Sequence, residues 1–143
     1  YWTQKGKPNG NEGRILRAPL ATPPGTDPGR RTDIEVLFDG LPEPIDLEWD
    51  GETSTLYWTD RGDPPNGNTL NRVKIRDGKP VDHEILLSNL QEAIGLTHDR
   101  EGRRIFVSDL SGALRVMSLD RPGESKVIYQ TRGALTGIAY LRG

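Results

Sequence analysis

Short apolar segments bounded by turn residues recur along the whole chain. In LYWT, residues 56–59, both alternating faces carry apolar or aromatic side chains, which predicts a β-strand that is buried on both faces. Asp-Gly pairs at 39–40, 50–51 and 77–78 supply the residues that strand reversals favour. No stretch has a helical period. The pattern therefore predicts an all-β fold of many short strands.

One group of strands occurs three times. An aromatic strand begins at 1 (YWTQ), 57 (YWTD) and 106 (FVSD), and each copy is followed by a strand that holds an Arg. A β-rich segment and a closing strand complete each unit, and an Asp precedes the second and third aromatic strands by seven residues. Four short strands in roughly 40 to 50 residues are typical of a β-propeller blade. We assign these residues to the structural motif: Tyr1, Trp2, Tyr57, Trp58, Asp60, Asp50, Asp99, Asp109, Arg17, Arg72 and Arg115.

The YWTQ and YWTD strands, the upstream Asp and the Arg of the next strand together resemble the YWTD propeller repeat of lipoprotein-receptor ectodomains. The long-loop form LPEPIDLEWD … LYWTDRGDPPNGNTLNR is most similar to the soluble bacterial and fungal, lactonase-like relatives. The resemblance covers essentially the whole chain, although Gln4 replaces the motif Asp and FVSD replaces YWTD in the third unit. It implies a six-bladed β-propeller, with about three four-stranded blades in this chain, which resembles the C-terminal half.

The order of the strands predicts a half propeller over residues 1–143. We expect a blade from 1 to about 43 that lacks its inner strand, a blade over about 44–92, a blade over about 93–134, and a twelfth strand at 135–141 that completes another blade. A half ring would expose strand edges, which proteins avoid. Two partners would close a six-bladed ring, either a missing N-terminal half or a second copy in a homodimer.

Composition excludes several classes of function. The formal net charge of -2 leaves no basic surface for nucleic acid, and no apolar run is long enough to span a membrane. The absence of Cys excludes disulfides, thiolate metal sites and a Cys nucleophile. The lack of Cys and of Asn-x-Ser/Thr sequons is compatible with a cytosolic protein and leaves a secreted one open. The chain contains neither a Gly-x-Ser-x-Gly motif nor a phosphate-binding Gly-rich loop before a helix.

Two long loops, 5–13 and 61–68, are predicted to share one face of the ring with the crossovers 40–46 and 89–95. Loops on a rigid scaffold often carry function, so this face is the candidate binding site. The candidate ligand-binding residues on it are Glu43, Glu92, Asp63, Asn66 and Asn68. The alternative interpretation is structural, because Asn favours left-handed turns and both Glu residues would be solvated charges at the rim.

The inner strand PIDLEWD carries two further candidates, Asp46 and Glu48, on one side of the strand. A carboxylate pair near the central channel would suit Ca²⁺ or another divalent cation, or would serve as a general base. Alternatively, the two side chains accept hydrogen bonds from the neighbouring blade. The resemblance to the gluconolactonase group is incomplete, since that group has a Glu at the position of Ile45. No cofactor is therefore assigned beyond this possible divalent cation.

The remaining polar residues are predicted to support the fold and not to bind a ligand. Asp60 and Asp109 would hold backbone N–H groups at the ends of their strands, and the three motif Arg residues would pair with acids between blades. His83 and His98 would be packed or solvent-exposed, because their separation fits no metal-binding motif. Three functions thus remain open: a binding scaffold for a ligand or protein, a metal-dependent lactonase-like hydrolase, and a half propeller that serves assembly alone.

Overall fold

The computed structural model describes residues 1–142 and contains eleven strands. They are β1 (Trp2–Gln4), β2 (Gly13–Arg17), β3 (Glu35–Leu41), β4 (Pro44–Asp50), β5 (Thr55–Asp60), β6 (Thr69–Arg76), β7 (Lys79–Leu87), β8 (Ala93–Asp99), β9 (Arg104–Asp109), β10 (Ala113–Ser118) and β11 (Ser125–Gln130). A single 3-10 turn, Pro28–Arg30, lies between β2 and β3. No helix within the described residues has the length and apolar character needed to cross a membrane.

The strands form three antiparallel sheets in chain order, β1-β2-β3, β4-β5-β6-β7 and β8-β9-β10-β11. The chain is thus all-β, with three sheets that are consistent with a partial propeller, and the first sheet has three strands. Because successive strands pair antiparallel, the loops β1–β2, β5–β6 and β9–β10 lie at one end of the blades. The crossovers β3–β4 and β7–β8 lie at the same end. We call this end the loop face and the other end the turn face.

The core lies between neighbouring blades. Leu56 and Trp58 pack with Ile15 of the first blade, whereas Tyr57 packs with Ile105 of the third. Every residue of β5 is buried. The strand buried on both faces is therefore confirmed, and it places apolar side chains against both neighbours. Each such side chain contributes roughly 1.5–3 kcal/mol through its removal from water.

A hydroxyl in the third position of each aromatic strand joins its blade to the next inner-strand segment. Thr3 Oγ1 donates to the carbonyl of Ile45, and Thr59 Oγ1 donates to that of Ile94, both at 2.7 Å. Ser108 Oγ donates to the carbonyl of residue 136 in the same way. The role of these hydroxyls was not predicted, although all three copies of the strand carry Thr or Ser in this position.

The predicted twelfth strand, 135–141, is not a strand in the structure. The segment runs beside the third blade, where Leu135 N donates to Asp109 O and Tyr140 N donates to Thr97 Oγ1, both at 3.1 Å. A strand requires a ladder of backbone hydrogen bonds to a neighbour. Among the described residues no strand pairs with this segment. That it completes another blade stays a prediction.

Candidate functional site

The loops 5–13 and 61–68 lie side by side on the loop face. The backbone N–H of Asp63 donates to Asn9 Oδ1 at 3.0 Å, which joins the loop of the first blade to that of the second. Between them is a cleft of about 350 Å³. Its lining residues are Asn9, Asn11, Pro42, Asp63, Pro64, Pro65 and Asn66. The cleft therefore presents amide and carboxylate groups beside rigid proline rings.

The second loop is folded tightly at its base. Gly67 N donates to Asp63 O at 2.9 Å, and a Cβ on Gly67 would lie 2.1 Å from the carbonyl carbon of Gly62. Only residues without a side chain allow this approach. Asp63 and Asn66 remain exposed at the tip. The glycines thus determine the shape of the loop at its base, and its polar tip stays exposed.

Asn68, the third candidate of this loop, has a structural role. Its backbone is left-handed, with φ 54°, and its Oδ1 accepts the backbone N–H of Glu92 at 2.7 Å. Asn9 and Asn11 have the same left-handed backbone, both at φ 51°. Asn tolerates this conformation better than most residues. These observations agree with the turn interpretation of the Asn residues.

Glu43 lies buried beneath the cleft, so the expectation of a solvated rim charge was wrong. Glu43 is 3% exposed, and its Oε1 accepts the backbone N–H of Asn9 at 2.9 Å. Lys5 Nζ and Arg61 Nε each lie 3.1 Å from Oε2. Burial alone would raise the pKa of Glu43, but the N–H of Asn9 and the two cations outweigh it and lower the pKa. The burial is tolerated because the charge is compensated on both oxygens.

Glu92 is the exposed member of the same network. Its side chain is 52% exposed, and Arg61 Nη2 lies 3.4 Å from its Oε2. Arg61 therefore bridges the acids of two consecutive crossovers. The rim interpretation fits Glu92, whereas Glu43 anchors the two long loops to the scaffold.

Asp46 and Glu48 lie at the joint between the second and third blades. Asp46 Oδ2 accepts the backbone N–H of Leu96 at 2.9 Å, and Oδ1 accepts that of Leu47 at 2.9 Å. Glu48 Oε1 accepts the hydroxyl of Thr97 at 3.4 Å. Burial, and then the charge of Asp46, raises the pKa of Glu48. The contacts of Asp46 are those of a carboxylate that joins two blades.

This pair does not fit a metal centre. Residues 1–142 contain no group of three or more His, Cys, Asp or Glu side chains placed to hold a metal ion. A hard cation such as Ca²⁺ takes six or more oxygen ligands. Asp46 also directs both oxygens to backbone N–H groups. We therefore derive no metal-dependent step from these side chains.

The motif Asp residues hold turns. Asp60 Oδ1 accepts the backbone N–H groups of Glu43 and Gly62, at 3.0 and 2.9 Å. Asp109 Oδ1 accepts those of residues 111 and 113, at 3.0 and 3.2 Å. At the turn face, Asp50 and Asp99 accept the N–H groups of residues 52 and 102, at 3.1 and 3.0 Å. These contacts are structural, and they fix where the loops leave the blades.

The motif Arg residues were expected to pair with acids between blades. In the structure they pair within their own blades. Arg17 Nη2 lies 2.6 Å from Glu35 Oε2, and Arg72 Nη2 lies 2.8 Å from Glu84 Oε2. In both cases the acid is on the outer strand, directly across the ladder from the Arg. Arg115 has no acid across the ladder, and its Nε lies 3.6 Å from Asp109 Oδ2. An acid directly across the ladder is within reach of the Arg side chain, so the pair forms inside one blade.

Both His residues pack against aromatic rings. His83 stacks on Trp58, with ring centroids 5.0 Å apart, and its Nε2 lies 3.1 Å from Asn71 Oδ1. His98 lies against Tyr57 at 5.3 Å, and burial lowers its pKa. Neither ring contributes to the cleft on the loop face.

Comparison with known proteins identifies these blades. No family model matches the chain. The low-density lipoprotein receptor-related protein 1 of Pyricularia oryzae is 46% identical over 146 residues, which cover 97% of this chain and 46% of that protein. A chain in the crystal structure of a nidogen/laminin complex superposes with a TM-score of 0.63 at 23% identity, over 82% of this chain and 41% of that one. The chain is built of YWTD-type β-propeller blades.

A second relative carries a different name. The YWTD blades are 41% identical over 148 residues to the 3-hydroxyacyl-CoA dehydrogenase-like protein LAM1 of Cochliobolus heterostrophus, over 97% of this chain and 31% of that protein. The chain thus spans less than half the length of either curated relative.

Proposed function

We propose that these blades form a binding scaffold that recognises a protein or a small polar ligand on the loop face, between loops 5–13 and 61–68. The observation that carries the proposal is the cleft of about 350 Å³ whose polar tip residues are exposed while its base is fixed. Glu43, Lys5 and Arg61 hold that base. The loops are thus ordered by folding, and binding need not supply that ordering free energy.

The lining favours a ligand that combines hydrogen-bonding groups with a small apolar surface. Asn side chains offer both donors and acceptors, and the prolines offer rigid apolar contact. A peptide segment of a partner protein has this combination. The structural neighbour was crystallised in a complex of nidogen with laminin, which supports a protein partner for a propeller of this fold.

The hydrolase alternative has weaker support. Asp46 is explained by its contacts to Leu47 and to Leu96 of the next blade. Glu48 adds a single carboxylate whose raised pKa follows from burial and from its neighbour Asp46. Binding on the loop face needs neither residue as a reactive group.

We also propose that further blades close the ring to six, from more of the same chain or from a second copy. The two outermost sheets expose large apolar side chains: Trp2 at 39%, Val36 at 52%, Ile128 at 47% and Tyr129 at 56%. Blades that pack against these sheets would bury them. Light scattering on the purified protein tests this, and a stable monomer of three blades would contradict both routes.

Binding on the loop face is tested with an Asp63→Ala/Asn66→Ala double variant. The matched control is Glu124→Ala, which removes an exposed acid on the turn face. Quantitative affinity capture with mass spectrometry should find proteins held by the wild type and the control but lost from the double variant. For each such partner, purified and titrated, we expect affinity to fall at least about tenfold. Equal capture by all three proteins would contradict recognition of a protein partner at this cleft.

A further inference from the structure

A second cleft, of about 300 Å³, lies on the turn face between the second and third blades. The rings of Tyr57 and His98 line it, with centroids 5.3 Å apart. It is separate from the proposed binding site, because the turn face and the loop face are opposite ends of the blades.

The corresponding joint between the first and second blades provides an internal comparison. There Trp49 occupies the position of His98 and stacks on Tyr1 at a centroid distance of 4.9 Å. The two joints therefore differ in the ring that meets the Tyr of the preceding blade, an indole at the first and a smaller imidazole at the second.

Two arginines mark the turn of the third blade. The turns that follow Asp50 and Asp99 have equal length, so Gly51 of the second blade aligns with Arg100 and Ser54 aligns with Arg103. Ser54 and Arg103 share a left-handed backbone, with φ 51° and 49°, which supports the alignment. The third blade therefore has two arginines at the cleft, where the second blade has two uncharged residues in the equivalent positions.

The lining carries more positive than negative charge. The cations are Arg72, Lys74, Arg100 and Arg103, and the acids are Asp50 and Glu52.

Arg72 and Arg103 each have a single acidic partner, at 2.8 and 2.7 Å, and a guanidinium has further N–H groups to offer. Lys74 forms no ion pair with any described residue. Asp50 accepts the N–H of Glu52 and the hydroxyl of Thr53, and its Oδ1 lies 3.7 Å from Arg100 Nε.

We propose that this cleft binds a small organic molecule through one anionic group, a carboxylate or a phosphate, held by Arg100 and Arg103. A guanidinium presents paired N–H groups that match the oxygens of either anion.

The test is a titration of the intact protein with inorganic phosphate and, separately, with acetate. Arginine Nε–Hε signals are followed by NMR at constant ionic strength. We expect saturable shifts of the Arg100 and Arg103 signals with at least one anion, and the anion that binds more tightly identifies the class. In Arg100→Gly/Arg103→Ser, which copies the turn of the second blade, we expect the shifts of neighbouring signals to require at least about tenfold more anion.

Two further variants complete the design. His98→Trp places a larger ring in the cleft lining and should weaken the titration, and a thermal melt shows whether it is folded. Lys126→Ser removes an exposed cation elsewhere in the third blade and should leave the titration unchanged. The proposal is overturned if neither anion gives a saturable shift, or if the double Arg variant saturates at the same concentration as the wild type.

Discussion

The hydroxyl of Thr59 should stabilise the joint between the second and third blades. Thr59 is fully buried, donates to Ile94 O at 2.7 Å and accepts the N–H of Asp46 at 3.2 Å. Thr59→Val keeps the shape of the side chain and removes both hydrogen bonds. The carbonyl and the N–H left behind lie in a partly buried joint, where each lost bond costs about 1 kcal/mol. We expect the free energy of unfolding to fall by roughly 2–3 kcal/mol.

Thr59→Ser is the matched control, since it keeps the oxygen and deletes one methyl group. Ser108 occupies the equivalent position in the third blade, so the repeat already accepts this residue. Loss of a buried methyl costs about 1 kcal/mol. The expected order of stability is therefore wild type, then Thr59→Ser, then Thr59→Val.

Urea unfolding, followed by tryptophan fluorescence, measures the order through the transition midpoint at an unchanged m-value. If Thr59→Ser is as unstable as Thr59→Val or less stable, packing of the methyl group is what matters at this position. The assignment of the hydroxyl as the connection between the blades would then be refuted.

Three further predictions concern the loop face and the blade joint. Glu43→Gln should lower stability by about 2 kcal/mol, because its two cationic partners lose a buried charge, and loop amides should exchange faster with deuterium. Since the pKa of Glu43 is lowered in the folded state, its charge stabilises the protein above the usual Glu pKa. That contribution is lost as pH falls through the folded pKa, so the stability gap to Glu43→Gln should shrink in acid. Glu48 has a raised pKa, so Glu48→Gln should be more stable than wild type at neutral pH, and chemical denaturation should show this advantage vanishing below the usual Glu pKa. Gly67→Ala should destabilise the protein by about 1–3 kcal/mol through the clash with Gly62, and an unchanged melting temperature would contradict the tight loop.

The place of the candidate site on the loop face could be predicted from the sequence, but its contacts could not. Antiparallel strand order requires the long loops and the crossovers to share one end of the blades, so their proximity follows from topology alone. The contact between Asn9 and Asp63 could not be predicted, because the residues are 54 positions apart and meet only through the packing of two blades.

The sequence by itself determined the repeat, the all-β blades and the buried aromatic strand, because period-2 patterning and turn residues act locally. It could not determine which polar groups are buried. Glu43 resembles any rim acid in the sequence, yet it lies beneath the cleft because Lys5 and Arg61 come from two different blades to compensate its charge. Likewise the cleft on the turn face is lined by residues of the second and third blades, and only their packing brings these residues together. Such contacts depend on residues far apart in the chain, so the tertiary structure alone decided them.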